Sequence, residues 1–334
     1  MLILDEPTSS LTNSEIKILF SIVRGLKERG VAVIFITHRM DEIFEICDTL
    51  MVMRDGERVL KSKIGDISRA EIITAMLGRN MQEQYHHDAY SIGRELLTVK
   101  GLCRKNKLSN ISFSVHEGEL LGIYGLLGSG RSELLRSIFG LDAFDSGQIS
   151  LYGEPVHIGS PRAAIEKGIG MVTEDRHKEG LVLGRSVSFN LTLANLKAIK
   201  GHVFVSPKKE AAIGERNIGE LRIKTPSAKR MVQFLSGGNQ QKVVVSKWLN
   251  TKPRLLLMDE PTRGIDIGAK REMYSIIESI LREGVGIIMV SSELPELIGL
   301  CDHVIVLKEG RIAAEILEPN EISSKRLLEA AMGG

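Results

Sequence analysis

Gly125-Leu126-Leu127-Gly128-Ser129-Gly130-Arg131-Ser132 follows the apolar run Leu120–Tyr124 and precedes a helical stretch through Leu134, Leu135 and Ile138. Strand, glycine-rich loop and helix in that order make a phosphate cradle. Glycines let the backbone wrap an anion with its N–H groups, and the helix start adds its positive dipole end. Residues Gly125 to Glu133 are therefore the candidate phosphate-binding segment, with the Ser132 hydroxyl a candidate Mg²⁺ ligand. Arg131 stands where this spacing ordinarily carries lysine; it keeps the charge but replaces a compact ammonium with a planar fork. A glycine turn without a ligand would explain the loop alone, but not its partners downstream.

Two further segments fit the same chemistry. Leu255–Met258 is an apolar run ending in Asp259 and Glu260. A buried strand of that kind delivers both carboxylates to the carboxyl edge of a parallel sheet, beside a phosphate loop. Asp259 would hold Mg²⁺, and Glu260 would orient and polarise an attacking water. Leu235-Ser236-Gly237-Gly238-Asn239-Gln240-Gln241-Lys242 then leads into the apolar helix Val243–Leu249. Ser236 is a natural N-cap, and the glycines bare the helix start to an anion, so Ser236, Gly237, Gly238, Asn239 and Gln240 are candidate ligand contacts.

The elements that position these residues occur twice. Leu2-Ile3-Leu4-Asp5-Glu6-Pro7-Thr8 returns as Leu256-Leu257-Met258-Asp259-Glu260-Pro261-Thr262, an offset of 254 (259 − 5). The offset holds without a gap for about fifty residues. It pairs Gly30 with Gly284, Glu42 with Glu296, Cys47 with Cys301, Asp48 with Asp302 and Gly56 with Gly310. Each copy reads as apolar strand, helix, apolar strand, short helix and hairpin, the pattern of a parallel sheet covered by helices. In the first copy Ile16, Leu19, Ile22, Val23 and Leu26 fall on one helical face, Gly30 stops the helix, and Val31–Ile36 is a buried strand. Asp55-Gly56 and Glu309-Gly310 mark the hairpin turns.

These repeats set the expected domains: the carboxyl-terminal part of one module at 1–80, a linker at 81–95, and a complete module at 96–334. Asp259 lies 163 residues beyond Leu96 (259 − 96), whereas Asp5 is the fifth residue, so about 160 residues of the first module are expected to lie outside this chain. The linker carries Tyr85-His86-His87-Asp88; no cysteine or third histidine is spaced to complete a metal site, and a solvated connection is the simpler reading.

Composition narrows the classes. Hydrophobic residues at 43% and charged residues at 26% are those of an ordinary globular protein, and a net charge of +2 with interspersed signs argues against nucleic acid. Aromatic residues at 4% leave no stacking platform for single strands. Cys47, Cys103 and Cys301 form no C-x-x-C pair and read as small core hydrophobes of a reducing compartment. No apolar run approaches the length of a membrane span, and Asp5 and Glu6 interrupt any secretory signal. Membrane contact would therefore come through a partner.

The phosphate loop, the Leu-Ser-Gly-Gly segment and the strand-end carboxylates resemble an ABC ATPase in order and spacing. Leu235–Lys242, Thr173-Glu174-Asp175-Arg176 with Gly180-Leu181, and Ser291-Ser292-Glu293-Leu294-Pro295-Glu296 look like one subgroup, the duplicated ATPases of bacterial monosaccharide importers of the ribose, galactose and xylose kind. The resemblance implies an α/β P-loop NTPase with a mainly parallel core sheet, an antiparallel β subdomain and a helical subdomain at about 183–250, as one partial and one complete module. It implies ATP and Mg²⁺, with Glu174 as a further metal ligand, transmembrane permease subunits, and an external sugar-binding protein. The location implied is peripheral, at the cytoplasmic face of the membrane.

Glu6 and His38 of the first copy look like that site's catalytic carboxylate and γ-phosphate histidine; His38 aligns with Ser292 in the second copy. ABC sites are composite, one module's phosphate loop facing the other's Leu-Ser-Gly-Gly, so neither site is expected to close within this chain and turnover alone should be slow. The segment Leu96–Val115 offers only Phe113 for stacking on adenine. Two other readings are a nucleotide-binding fragment or gene remnant without catalysis, and a soluble ABC ATPase of translation or DNA repair.

Overall fold

The structure, a computed structural model, describes residues 1–334 apart from 6, 9–10, 12, 38–39, 55–56, 69–70, 73–74, 76–91, 127, 202–203 and 333–334. Glu6, His38, Leu127, the Asp55-Gly56 turn and most of the 81–95 segment lie outside the described residues. The chain divides into two compact units, Met1–Tyr85 with Asp266–Arg271, and His86–Ile265 with Glu272–Gly334.

In the first unit, β1 (Leu2–Asp5) and β2 (Val33–Ile36) pair in parallel around helix α1 (Asn13–Glu28). Helix α2 (Met40–Ile46) and the antiparallel pair β3 (Thr49–Arg54) and β4 (Glu57–Lys63) follow. Ile43, Leu50, Val52 and Ile72 form a small core beneath the pair. Two expectations are corrected here. Ile22 is 55% exposed, because α1 turns Ile16, Phe20 and Val23 inward instead. Strand β2 is not buried throughout: Ile34 and Ile36 are each 47% exposed, since β1 and β2 are paired only with each other and alternate their side chains between two faces.

The second unit builds the same sequence pattern into a covered sheet. Its strands are β5 (Glu95–Arg104), β6 (Leu108–His116), β7 (Leu120–Gly125), β8 (Ser146–Leu151), β9 (Glu154–Val156), β10 (Ile169–Val172), β11 (Leu255–Asp259), β12 (Gly286–Val290), β13 (His303–Lys308) and β14 (Arg311–Ile316). The large sheet runs β10-β11-β12-β7-β13-β14, parallel except for the last strand, and the second is an antiparallel sheet, β6-β5-β8-β9. Every residue of β7, β10, β11 and β12 is buried, which matches their unbroken apolar runs. Helices α3 (Arg131–Ile138), α4 (Pro161–Glu166), α5 (Val187–Thr192), α6 (Pro207–Glu220), α7 (Gly237–Leu249), α9 (Leu294–Leu300) and α10 (Ser324–Met332) complete it, with α8 (Ile267–Arg282) belonging to it from Glu272 onward.

Close approach of α9 to β7 explains two residue types. A Cβ at Gly122 would meet Cys301 Sγ at 2.7 Å and Leu297 at 2.9 Å, so the strand carries glycine where the thiol packs. Burial drives the Cys301 thiol well above its ordinary pKa, consistent with an inert core sulfur.

Between residues 183 and 250, Ser206 caps α6 by accepting from the Lys209 N–H, with Pro207 at the first helical position. Asn217 Nδ2 donates to Ser246 Oγ at 2.7 Å and to Asn250 Oδ1 at 2.9 Å, fastening α6 to α7. Lys247 of α7 is buried and donates to the Gly180 carbonyl at 2.7 Å, with its ammonium 5.0 Å from the Trp248 ring centre. Burial without a carboxylate partner pushes the Lys247 pKa down to about 8. The ionised form therefore weakens the fold below about pH 8, and stability rises as pH climbs from about 8 toward the ordinary lysine value of 10.5. We predict that this gain, measured by urea unfolding at pH 8 and pH 10, is on the order of 1 kcal/mol larger in the wild type than in Lys247→Met. Equal gains would show that Lys247 is not titrating in the fold.

Candidate active site

The loop after β7 starts at Gly125, where a Cβ would run into Ser129 and the Leu307 carbonyl. Gly128 and Gly130 adopt φ of +81° and +102°, the left-handed region that glycine enters without strain. A Cβ at Gly130 would also meet the Lys107 carbonyl at 3.0 Å. The loop rests on the β13–β14 hairpin: Gly310 N–H donates to the Ser129 carbonyl at 2.9 Å, and Ser109 N–H donates to the Gly310 carbonyl at 2.8 Å. Glu309 and Gly310 both have positive φ (+48° and +74°), which makes the tight turn that brings that N–H forward.

Arg131, Ser132 and Glu133 form the first turn of α3, and Asp259 ends β11. With Glu260, Glu174, Gly128, Ser129 and Gly130 they line one cavity of about 610 Å³, which Gly125 and Leu126 do not reach. Asp259 is 3% exposed, and its Oδ1 makes no hydrogen bond among the described residues; neither does the buried Ser129 Oγ. Burial raises the Asp259 pKa, offset in part by the Ser132 hydroxyl and by Arg131. Glu260 is likewise raised by burial, against the Ser292 N–H and the Arg131 charge.

Glu260 sits at φ +48°, an unusual backbone for a side-chain-bearing residue, and its N–H donates to the Val290 carbonyl at 2.9 Å. Its Oε2 accepts from Ser292 N–H and Ser292 Oγ–H, each at 3.1 Å. Arg131 Nη1 lies 3.5 Å from Glu260 Oε1 and 3.4 Å from the Ser291 carbonyl. The phosphate-loop arginine thus turns toward the carboxylate expected to handle water. Glu174 extends into the same cavity, with its carboxylate paired to Arg263.

The Leu-Ser-Gly-Gly residues are placed differently. Ser236 precedes α7 in an extended conformation, but its hydroxyl makes no bond to the helix backbone. It accepts from Asn239 Nδ2 at 2.8 Å instead, so Ser236 holds the expected N-cap position without a side-chain bond to the helix backbone. None of Ser236, Gly237, Gly238, Asn239 and Gln240 lines the phosphate-loop cavity.

Two features escaped the sequence reading, and Phe113, the one aromatic residue it offered for stacking on adenine, lies elsewhere. Arg104, Lys107, Arg136 and Asp142 line the cavity, with Asp142 accepting from Arg104 at 2.8 Å and Arg136 at 2.9 Å. Phe113 is buried in β6, so no aromatic side chain lines the cavity among the described residues. Glu296, fully buried, accepts from Thr262 Oγ at 2.5 Å, Tyr274 Oη at 2.7 Å and Ser291 Oγ at 2.7 Å. It ties together the two loops that carry Glu260 and Ser292. The repeat pairing Glu42 with Glu296 was the available signal, and Thr37 correspondingly donates to Glu42 at 2.8 Å.

The fold and this loop define the nucleotide-binding ATPase of an ABC transporter. A family model described as ABC transporter matches residues 108–263. The chain is similar to a nucleotide-free ATP-binding cassette from an ABC transporter, at TM-score 0.63 and 21% identity over 72% of this chain and all of that one. Among proteins, it is 47% identical over 333 residues to Ribose import ATP-binding protein RbsA 3 of Rubrobacter xylanophilus, and 47% identical to Ribose import ATP-binding protein RbsA of Geobacillus kaustophilus. Both alignments take in 100% of this chain and 67% of the relative. The chain belongs to the family of monosaccharide-import ABC ATP-binding proteins that includes these relatives.

The Arg131–Glu260 contact can be tested in the nucleotide-free chain. A double-mutant cycle of Arg131→Met and Glu260→Gln, followed by urea unfolding, is expected to give a coupling energy of about 1 kcal/mol. Arg131→Met alone should destabilise more than the double variant, because it leaves a buried carboxylate unpaired. Additive effects would mean that the two side chains do not interact in solution.

Proposed function

We propose that this chain binds Mg-ATP at Gly125–Ser132 and serves as the ATP-hydrolysing subunit of a monosaccharide importer, acting on a ribose-like sugar. The observation that carries the reading is the convergence of the glycine loop, Asp259 and Glu260 on one cavity. Sequence relatives named for ribose import supply the transport role. Attachment to the membrane would run through permease subunits at the cytoplasmic face, a reading supported by the relatives named for import, and no helix of the described residues is long and apolar enough to cross a membrane. An external sugar-binding protein would deliver the substrate.

The residues present fit a divalent cation. A buried carboxylate oxygen on Asp259 has no hydrogen-bond partner among the described residues, and oxygen donors are what Mg²⁺ takes. Ser132 and Asp259 would hold it, with Glu174 as a third candidate. When bound, the ion supplies neutralisation of charge on the β- and γ-phosphate oxygens. Backbone N–H groups of the loop and the start of α3 bind the phosphates. Arg131 adds a fixed positive charge that phosphate would draw from Glu260. Glu260, released from that contact and oriented by Ser292, accepts a proton from the attacking water. Where the first copy has His38, Ser292 provides a neutral hydroxyl, so the second copy lacks a cation at that position. Glu6 and His38 are proposed to serve the companion site. The domain roles proposed for 1–80, 81–95 and 96–334 follow the repeat.

One phosphate loop and one Leu-Ser-Gly-Gly occur in the chain, both in the second copy, so a composite site needs a partner for each. The chain alone should therefore bind Mg-ATP but turn it over slowly. Reconstituted in liposomes with permease, binding protein and a partner that supplies the facing phosphate loop and Leu-Ser-Gly-Gly, it is expected to drive uptake of labelled ribose. Glu260→Gln should cut phosphate release from its own site by at least about 100-fold while leaving nucleotide bound. Fast turnover by the isolated chain would contradict the composite-site reading, and ATP-independent uptake would contradict the transport role.

A further inference from the structure

Arg176 is a basic residue outside the phosphate cavity whose guanidinium is spent entirely inside the second unit. Nη1 donates to the Arg263 carbonyl at 2.8 Å, Nη2 to the Gly264 carbonyl at 3.0 Å, and Nε to Gln240 Oε1 at 3.4 Å. The three acceptors sit on two segments that the chain order keeps apart. Arg263 and Gly264 follow Glu260 in the loop leaving β11, and Gln240 lies in the first turns of α7. Arg176 itself comes two residues after Glu174 and begins the π-helical turn Arg176–Gly180.

Two neighbouring observations give the link a direction. Arg263 is also the residue whose guanidinium pairs with Glu174, so the carboxylate facing the phosphate cavity and the loop after Glu260 are joined by a side chain as well as by Arg176. Gln240 is 6% exposed and is clamped from three sides: Oε1 also meets His177 Nε2 at 2.8 Å, and Nε2 donates to the Val232 carbonyl at 3.2 Å. Any displacement of the Glu174 segment therefore reaches the start of α7 through a hydrogen-bonded fork rather than through soft packing.

The same fork explains a glycine. A Cβ on Gly237 would lie 2.9 Å from Arg176 Nη2 and 3.1 Å from the Gly264 carbonyl. Gly237 is thus small for Arg176 to pass beneath the helix start, a demand separate from exposing N–H groups to an anion. The contact also partly buries Arg176, and that desolvation lowers its pKa against the opposing charge of Asp175. Such an arrangement costs stability and needs a compensating use.

We propose that Arg176 is a positioning residue that transmits nucleotide occupancy at Gly125–Ser132 to the Ser236–Gln240 helix start, by fixing that start to the loop following Glu260. The proposal rests on the nucleotide-binding reading above. It requires the planar fork: a lysine offers one nitrogen and cannot hold two successive carbonyls and Gln240 Oε1 in fixed directions.

The test is hydrogen–deuterium exchange of the full chain with and without Mg-ATP, alongside titration with a fluorescent ATP analogue and thermal unfolding. In the wild type, saturation with Mg-ATP should change exchange over 236–241 by about fivefold or more. Arg176→Lys should bind the analogue within about twofold of wild type yet lose that response, a split that a purely structural role would not produce. Arg176→Gln, which keeps a donor and removes the charge, should lose it as well; either variant that folds suffices. A wild-type-sized response in a variant that binds nucleotide would overturn the proposal, as would a wild type that binds without responding. Failure of the wild type to bind would overturn the nucleotide reading and the proposal with it.

Discussion

The hydrogen bond from Gly310 N–H to the Ser129 carbonyl is the contact on which the site depends. A loop that aims its N–H groups inward at phosphate must turn carbonyls outward, and each needs a donor. Here the donor comes from a hairpin nearly two hundred residues away in sequence, in a turn whose two positive-φ residues hold it against the loop. The Gly310 carbonyl in turn receives Ser109 N–H, so the antiparallel sheet is tied to the phosphate loop through one residue. Any side chain at Gly310 would collide with the Lys107 carbonyl. The cradle is therefore an assembly of three segments rather than a property of one loop.

Much of this was legible in the residues. Leu120–Tyr124 and Leu255–Met258 are apolar without interruption, and only a strand buried on both faces needs that, so the parallel sheet and its strand ends could be read directly. The repeat made the same case twice. What could not be read is what depends on distant contact. Ser236 looked like a cap because serine before a helix usually is one, yet the neighbouring Asn239 amide donates to its hydroxyl instead. Ile22 matched the helical period of its neighbours but faces outward, because burial depends on which surfaces the element meets. Arg104 and Asp142, far apart in sequence, have no local pattern to announce them.

The two copies of the repeat carry the same residues into different surroundings. Leu257, Ile288 and Val290 are buried at 0–1% exposure, while their first-copy counterparts Ile3, Ile34 and Ile36 are 56%, 47% and 47% exposed. In the second unit β7 and β10 flank the corresponding strands, and α3, α7, α9 and α10 pack on the sheet. Burial then does chemical work at the strand ends: it holds Asp259 with an unpartnered oxygen and lifts the Asp259 and Glu260 carboxyls above their ordinary range. A divalent cation is the group whose arrival would give that oxygen a partner and favour the ionised Asp259 carboxylate.

That claim is tested most directly by electron paramagnetic resonance with Mn²⁺ in place of Mg²⁺, titrated into the chain with and without ATP. The account predicts one tightly held Mn²⁺ per chain that appears only with nucleotide and is lost in Asp259→Asn. Mn²⁺ that binds without nucleotide, or that survives Asp259→Asn with unchanged affinity, would contradict it.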